Sequence, residues 1–195
     1  MIKSLQFLLV LIALNIVVSC KEDITPKPSA FLRLSYPEAK YKSVNEDLPF
    51  SFEKNDFAKH LGVRQMPGEQ NYGVNIEYPN LKGTIYLTYK SIGGDKARLM
   101  KFIQDAQNFT QKHTIKADEI SEQVYLNDER KVYGMFYEVG GNAASQSQFY
   151  VTDSIQHFLT GSLYFYTKPN YDSILPAAKY LEKDIRHIME TVNWK

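Results

Sequence analysis

Between Thr84 and Tyr89 the chain alternates in character. Ile85, Leu87 and Tyr89 fall on one face of an extended segment, and Thr84, Tyr86 and Thr88 on the other. Aromatic and β-branched residues dominate this stretch, which predicts a strand. Phe50-Ser51-Phe52-Glu53 and Val74-Asn75-Ile76-Glu77-Tyr78 follow the same rule, the second ending at Pro79. Residues 60–72, with Gly62, Pro67 and Gly68, read as a loop. After Gly93-Gly94-Asp95 the period changes. Leu99, Phe102, Ile103, Ala106 and Phe109 recur at spacings of three and four, which predicts a helix over 96–112 with Asp95 as its cap. Four strand candidates come next, at 121–126, 131–139, 146–152 and 156–166. The breaks between them, 127–130, 140–145 and 153–154, are short and polar or glycine-bearing. Connections that short force antiparallel neighbours, because a parallel crossover needs a dozen residues or more. The chain closes with a predicted helix over 173–191, capped by Ser173 with Pro176 in its first turn. Leu175, Ala178, Leu181, Ile185, Ile188 and Val192 form its apolar stripe.

These elements define an α+β class: an antiparallel β-sheet meander with two long amphipathic helices. Each helix has one stripe to bury, and a sheet face is the natural place for it. One helix on each face gives an α-β-α sandwich, resembling the Mog1 and PsbP type. The alternative puts both helices on one face.

The first nineteen residues have a different character. Lys3 is followed by an apolar run from Phe7 to Val18, interrupted only by Asn15. The run is too short for a membrane span of roughly 20 residues and suits an export signal. It ends in Val17-Val18-Ser19-Cys20, aliphatic, then small, then cysteine, the pattern read by lipoprotein signal peptidase. Cys20 is the only cysteine. A lone thiol in an exported protein has no disulfide partner, and acylation removes that liability. The expected organisation is a signal peptide over 1–19, a lipid-anchored tether over 20–47 carrying palmitate-type chains on Cys20, and a single α+β domain over 48–195. Pro26, Pro28 and Pro37 stiffen the tether. Fully stretched, it reaches roughly 90 Å.

Charge and composition narrow the chemistry. Apart from Lys3 in the signal, basic and acidic residues are equal in number, so there is no footprint for nucleic acid. No phosphate-cradling loop is present, since Gly93-Gly94-Asp95-Lys96 lacks the spacing, and Ser162 after Gly161 lies within a strand pattern and not at a nucleophile elbow. His113, Asp118 and Glu119 surround the exit of the first helix as an acid–base set, or as a histidine complementing the helix dipole. Asp184 and His187 lie one turn apart on the last helix, off the stripe as drawn above, and read as a solvated face in preference to a metal pair. No catalytic residue, metal or cofactor is expected. The unusual feature is fourteen tyrosines. Tyr133, Tyr137 and Tyr150 fall within strand candidates, where tyrosine serves either as a good strand residue or as an interface residue. With Asn142, Ala143 and Ala144 of the adjoining small-residue loop they form the candidate interaction set.

Several stretches together resemble the gliding-motility lipoprotein GldD family of the Bacteroidetes. They include Pro26-Lys27-Pro28, Pro49 to Glu53, Lys112 to Asp118, Lys131 to Gly134, Gly141-Asn142-Ala143-Ala144-Ser145, Gln148 to Phe158, and Asp184 to Trp194. The resemblance implies a non-enzymatic role in rapid gliding, in an apparatus shared with type IX secretion. It implies other envelope proteins of that machinery as partners and lipid anchoring at the outer membrane. The periplasmic face and the cell surface both stay open, because Lys21-Glu22-Asp23 resembles a surface-export signal of this phylum. Asp153-Ser154-Ile155 and Asp172-Ser173-Ile174 look like its O-glycosylation triplet. An envelope hydrolase, or a small-ligand carrier using the sheet–helix crevice, is the alternative.

Overall fold

The computed structural model describes residues 34–68, 70–112, 117–167 and 171–195. Among the described residues, ten strands and two α-helices, with a short 3-10 turn at Pro79–Leu81, follow in the order β1 (Tyr41–Val44), β2 (Phe50–Asn55), β3 (His60–Met66), β4 (Asn71–Tyr78), β5 (Gly83–Ser91), α1 (Lys96–Gln111), β6 (Ala117–Asn127), β7 (Val132–Gly141), β8 (Ser145–Thr152), β9 (His157–Phe165), α2 (Tyr171–Thr191) and β10 (Asn193–Trp194). Seven strands form one antiparallel sheet, ordered β3-β4-β5-β9-β8-β7-β6. The expected meander is β6 to β9. It folds back until β9 pairs with β5 along its whole length, from Gly83 opposite Phe165 to Ser91 opposite His157.

Alternation assigns each side chain to a face. On one face Ile85, Leu87, Tyr89, Leu159, Leu163, Phe149 and Phe136 pack against Leu181, Ile185 and Ile188 of α2 and against Phe50 and Phe52 of β2. Gly161 lies in this layer opposite Phe149, whose ring covers the space a Cβ would need. On the other face Tyr137, Tyr150 and Phe158 meet Leu99, Phe102, Ile103 and Ala106 of α1. The helices therefore sit on opposite faces of the large sheet. β8 lies between them and is buried at every position.

The two helices differ in how deeply they pack. Leu181, Ile185 and Ile188 have 0 % exposure. In α1 only Thr110 is buried; Leu99, Phe102, Ile103 and Ala106 are half-buried and Phe109 is exposed. Asp95 caps α1 as expected, its carboxylate accepting from the amides of Ala97 at 2.9 Å and Arg98 at 3.1 Å. α2 begins earlier than expected. Ser173 lies inside its first turn, not at the cap, and Pro176 lies within the helix.

Two further segments differ from the sequence expectation. Residues 60–66, read as loop, form β3 and pair with β4 from His60–Glu77 to Met66–Asn71. β3 is an edge strand with mostly exposed side chains, so it carries no alternation to read. Its turn closes through the Asn71 side-chain amide, which donates to the Pro67 carbonyl at 2.8 Å. Residues 41–44, read as tether, form β1, which pairs with β2; β2 in turn pairs with β10. Val44 is buried in the main core.

Candidate functional site

The half-buried seating of α1 leaves a cleft of about 320 Å³ between that helix and the sheet. Phe102, Asp105, Phe109 and Thr110 line it from the helix, and Tyr86, Thr88, Lys90, Gln148, Tyr150, Ser162 and Tyr164 are among the residues lining it from the sheet. Cross-strand pairing brings these together: Tyr86 stands opposite Ser162, and Tyr150 opposite Thr160. The register slips between Ser145 and Gln148, an irregularity of the kind that re-aims side chains. Gln148 is 3 % exposed. Its carbonyl accepts from the Thr110 hydroxyl at 3.1 Å, while its amide nitrogen has no partner among the described residues. Beyond the cleft, Tyr86 and Tyr166 share a hydrogen bond at 2.6 Å, and the Thr84 hydroxyl donates to Tyr166 at 2.9 Å.

The opposite face holds the second polar cluster. Asp184 is 1 % exposed, which overturns the reading of a solvated helix face. The reason is its spacing. Leu181, Asp184, Ile185 and Ile188 fall at intervals of three and four, so the aspartate belongs to the buried stripe. Tyr41 donates to its Oδ1 at 2.8 Å, and the Asn55 amide reaches both oxygens at 3.1 and 3.0 Å. Burial pushes the Asp184 carboxyl above its ordinary value, and the hydrogen bonds from Tyr41 and Asn55 pull it back. Tyr180 donates to the Pro37 carbonyl at 2.9 Å and packs on Tyr36. His187 is half-buried, stacks on Tyr41 with centroids 3.5 Å apart and pairs with Glu53 at 2.8 Å. With its oxygens occupied and no solvent around it, Asp184 braces β1 and β2 against α2. Among the described residues no group of three or more His, Cys, Asp or Glu side chains is placed to hold a metal ion.

The family description "gliding motility lipoprotein GldD" matches residues 21–194. The chain belongs to that family. Nothing among curated proteins matches it. The family assignment makes it a gliding-motility lipoprotein and carries with it a lipid-anchored envelope location. No helix among the described residues is long and apolar enough to cross a membrane.

For a GldD lipoprotein the candidate interaction residues fall into two groups. Tyr137 and Tyr150 are buried beneath α1 with ring centroids 6.4 Å apart, and burial pushes both phenols above their ordinary value. Ala143 is buried, and its carbonyl accepts from the Gln146 amide at 2.7 Å. Asn142 and Ala144 are exposed and Tyr133 is half-buried. The expected loop of 140–145 shortens to 142–144, because β7 runs through Gly141 and β8 starts at Ser145. Cys20 and His113 lie outside the described residues, as does the side chain of Asp118; Glu119 is exposed. Two exposed apolar residues escaped the sequence reading. Val124 is 68 % and Leu126 69 % exposed on the edge strand β6, on the face that carries α1. Opposite them stand Met135 and Tyr133. The alternation does place Val124 and Leu126 on one face, but Tyr125 between them is also apolar and hides the pattern.

Proposed function

We propose that the protein is a lipid-anchored, non-enzymatic subunit or assembly factor of the gliding apparatus and its linked type IX secretion system. It is held at the outer membrane through Cys20 and works by binding other envelope proteins. The observation that carries the contact reading is the cross-strand patch of Val124, Leu126, Met135 and Tyr133. Apolar side chains left open on a long edge strand are an aggregation hazard that proteins normally blunt or cover. Its covering partner is an envelope protein of the same machinery. The buried, fully bonded Asp184 supports a bracing role over an acid–base one.

Gliding speed, measured beside protein level and thermal stability, tests this reading. Val124→Lys combined with Leu126→Lys abolishes gliding while the protein folds and reaches the membrane. Truncating a contact anchor commonly costs ~2 kcal/mol or more, some thirtyfold in affinity. Asp184→Asn keeps the shape of the buried group and leaves gliding intact, as does His60→Ala on the exposed edge. A folded, membrane-bound Asp184→Asn or His60→Ala protein that cannot glide would overturn the non-enzymatic reading in favour of a hydrolase.

A further inference from the structure

We propose that the cleft beneath α1 binds a neutral carbohydrate of one or two sugar rings. The first observation is the Gln148 amide. It is 3 % exposed, lines the cleft and has one polar atom without a partner among the described residues. Turning the amide over only exchanges which atom is left out, since Thr110 satisfies the other. An unsatisfied buried polar group is costly in a folded protein, and a ligand hydroxyl, which donates and accepts alike, satisfies it in either orientation.

The rest of the lining has the same chemistry. The hydroxyls of Thr88, Ser162 and Tyr164 line the cleft and make no side-chain hydrogen bond among the described residues. Beside them stand the aromatic rings of Tyr86 and Tyr164, packed edge to face with centroids 5.9 Å apart. Aromatic walls with a few convergent polar groups are the usual make-up of a small-molecule site, and such sites begin at about 300 Å³. A sugar ring matches both halves: its C–H face lies on aromatic carbon and its hydroxyls pair with hydroxyls. The charges select against other ligands. Lys90 and Asp105 are the two charged residues of the lining and have opposite signs, and the Lys90 ammonium lies 4.7 Å from the Phe102 ring centroid. No excess charge is left to hold a phosphate or carboxylate. An acyl chain would strip water from the hydroxyls and the amide and return no hydrogen bond.

The test uses the full lipidated protein in a sugar-free detergent. Binding is read by ligand-observed saturation-transfer NMR and by calorimetry. The probes are glucose, mannose, N-acetylglucosamine, cellobiose and chitobiose, with glucose 6-phosphate, octanoate and the peptide Gly-Tyr-Gly as contrasts. At least one neutral saccharide binds saturably, with an affinity that salt does not change, as expected without charge pairing. Gln148→Leu and Tyr164→Ala each weaken it about tenfold or more, whereas His60→Ala, outside the cleft, leaves it unchanged. Tyr164→Phe, which keeps the ring and the fold, gives an intermediate loss and separates hydroxyl recognition from damage to the sheet. The proposal is overturned if no saccharide of the panel binds. It is equally overturned if a contrast probe binds in preference to all of them, or if binding persists unchanged in folded Gln148→Leu and Tyr164→Phe proteins.

Discussion

Asp184 and His157 make opposite demands on pH. Burial raises the Asp184 carboxyl above its ordinary 3.8, against the pull of Tyr41 and Asn55. The folded chain therefore holds that proton more tightly than the unfolded chain. The resulting stability is present below 3.8 and is lost as pH rises through the folded value. His157 accepts or donates at Nδ1 with the Tyr89 hydroxyl at 2.8 Å and stacks on Trp194. Burial lowers it below its ordinary 6.5, with Asp153 opposing. Its contribution is present above 6.5 and is lost as pH falls toward the folded value. Unfolding free energy, measured by denaturant across pH, should therefore rise as pH approaches 6.5 from below. His157→Gln should flatten that limb, and Asp184→Asn should flatten the acid limb. An unchanged upper limb in His157→Gln would show that the imidazole does not set it. The two environments differ in how far the sequence reveals them. His157 is governed by Trp194, 37 positions along the chain, and sequence spacing carries no signal for such a contact. Asp184 was legible in principle, since its interval to Leu181 and Ile188 is helical, but a charge within a stripe reads as its border.

At the scale of elements, a stripe announces a buried face without saying how deeply it is buried. Both helices carry stripes, yet α2 closes the main core and α1 rests half-exposed over hydroxyls and tyrosines. Segments with few buried apolar contacts open locally, below the free energy of global unfolding. Amide hydrogen exchange should therefore be faster along α1 than in the Leu181–Ile188 stretch of α2, and independent of global stability. Equal protection in the two helices would contradict this account. Strands were legible where one face is buried, as in Thr84–Tyr89, and illegible at β3, where His60–Met66 is held by backbone pairing along an edge. β8 is a harder case. Ser145-Gln146-Ser147-Gln148 is polar in sequence and wholly buried in the fold, because helices cover both of its faces. The cleft arises from those two illegible facts, a shallow helix and a buried polar strand end.

For the whole molecule, the family is legible in the sequence, and the expected acylation signal at Cys20 is a linear motif. Val17-Val18-Ser19-Cys20 lies just ahead of residues 21–194, the span matched by the family. Cys20→Ser should yield a protein without acyl mass that no longer stays with the membrane fraction; intact-mass measurement of the wild-type protein showing no lipid would refute the assignment. What the sequence concealed is how the chain enters the domain. Its first described residues dock on the last helix: Pro37 and Tyr36 on Tyr180, Tyr41 on Asp184 and His187. β1 then joins β2, which also pairs with β10 at the other end of the chain. Tension applied along the polypeptide at residue 34 is thus received by hydrogen bonds and ring contacts that tie both ends of the domain together. It is delivered into α2 and the small sheet, across the core from α1. A pull arriving at residue 34 therefore enters the domain on the face opposite the cleft.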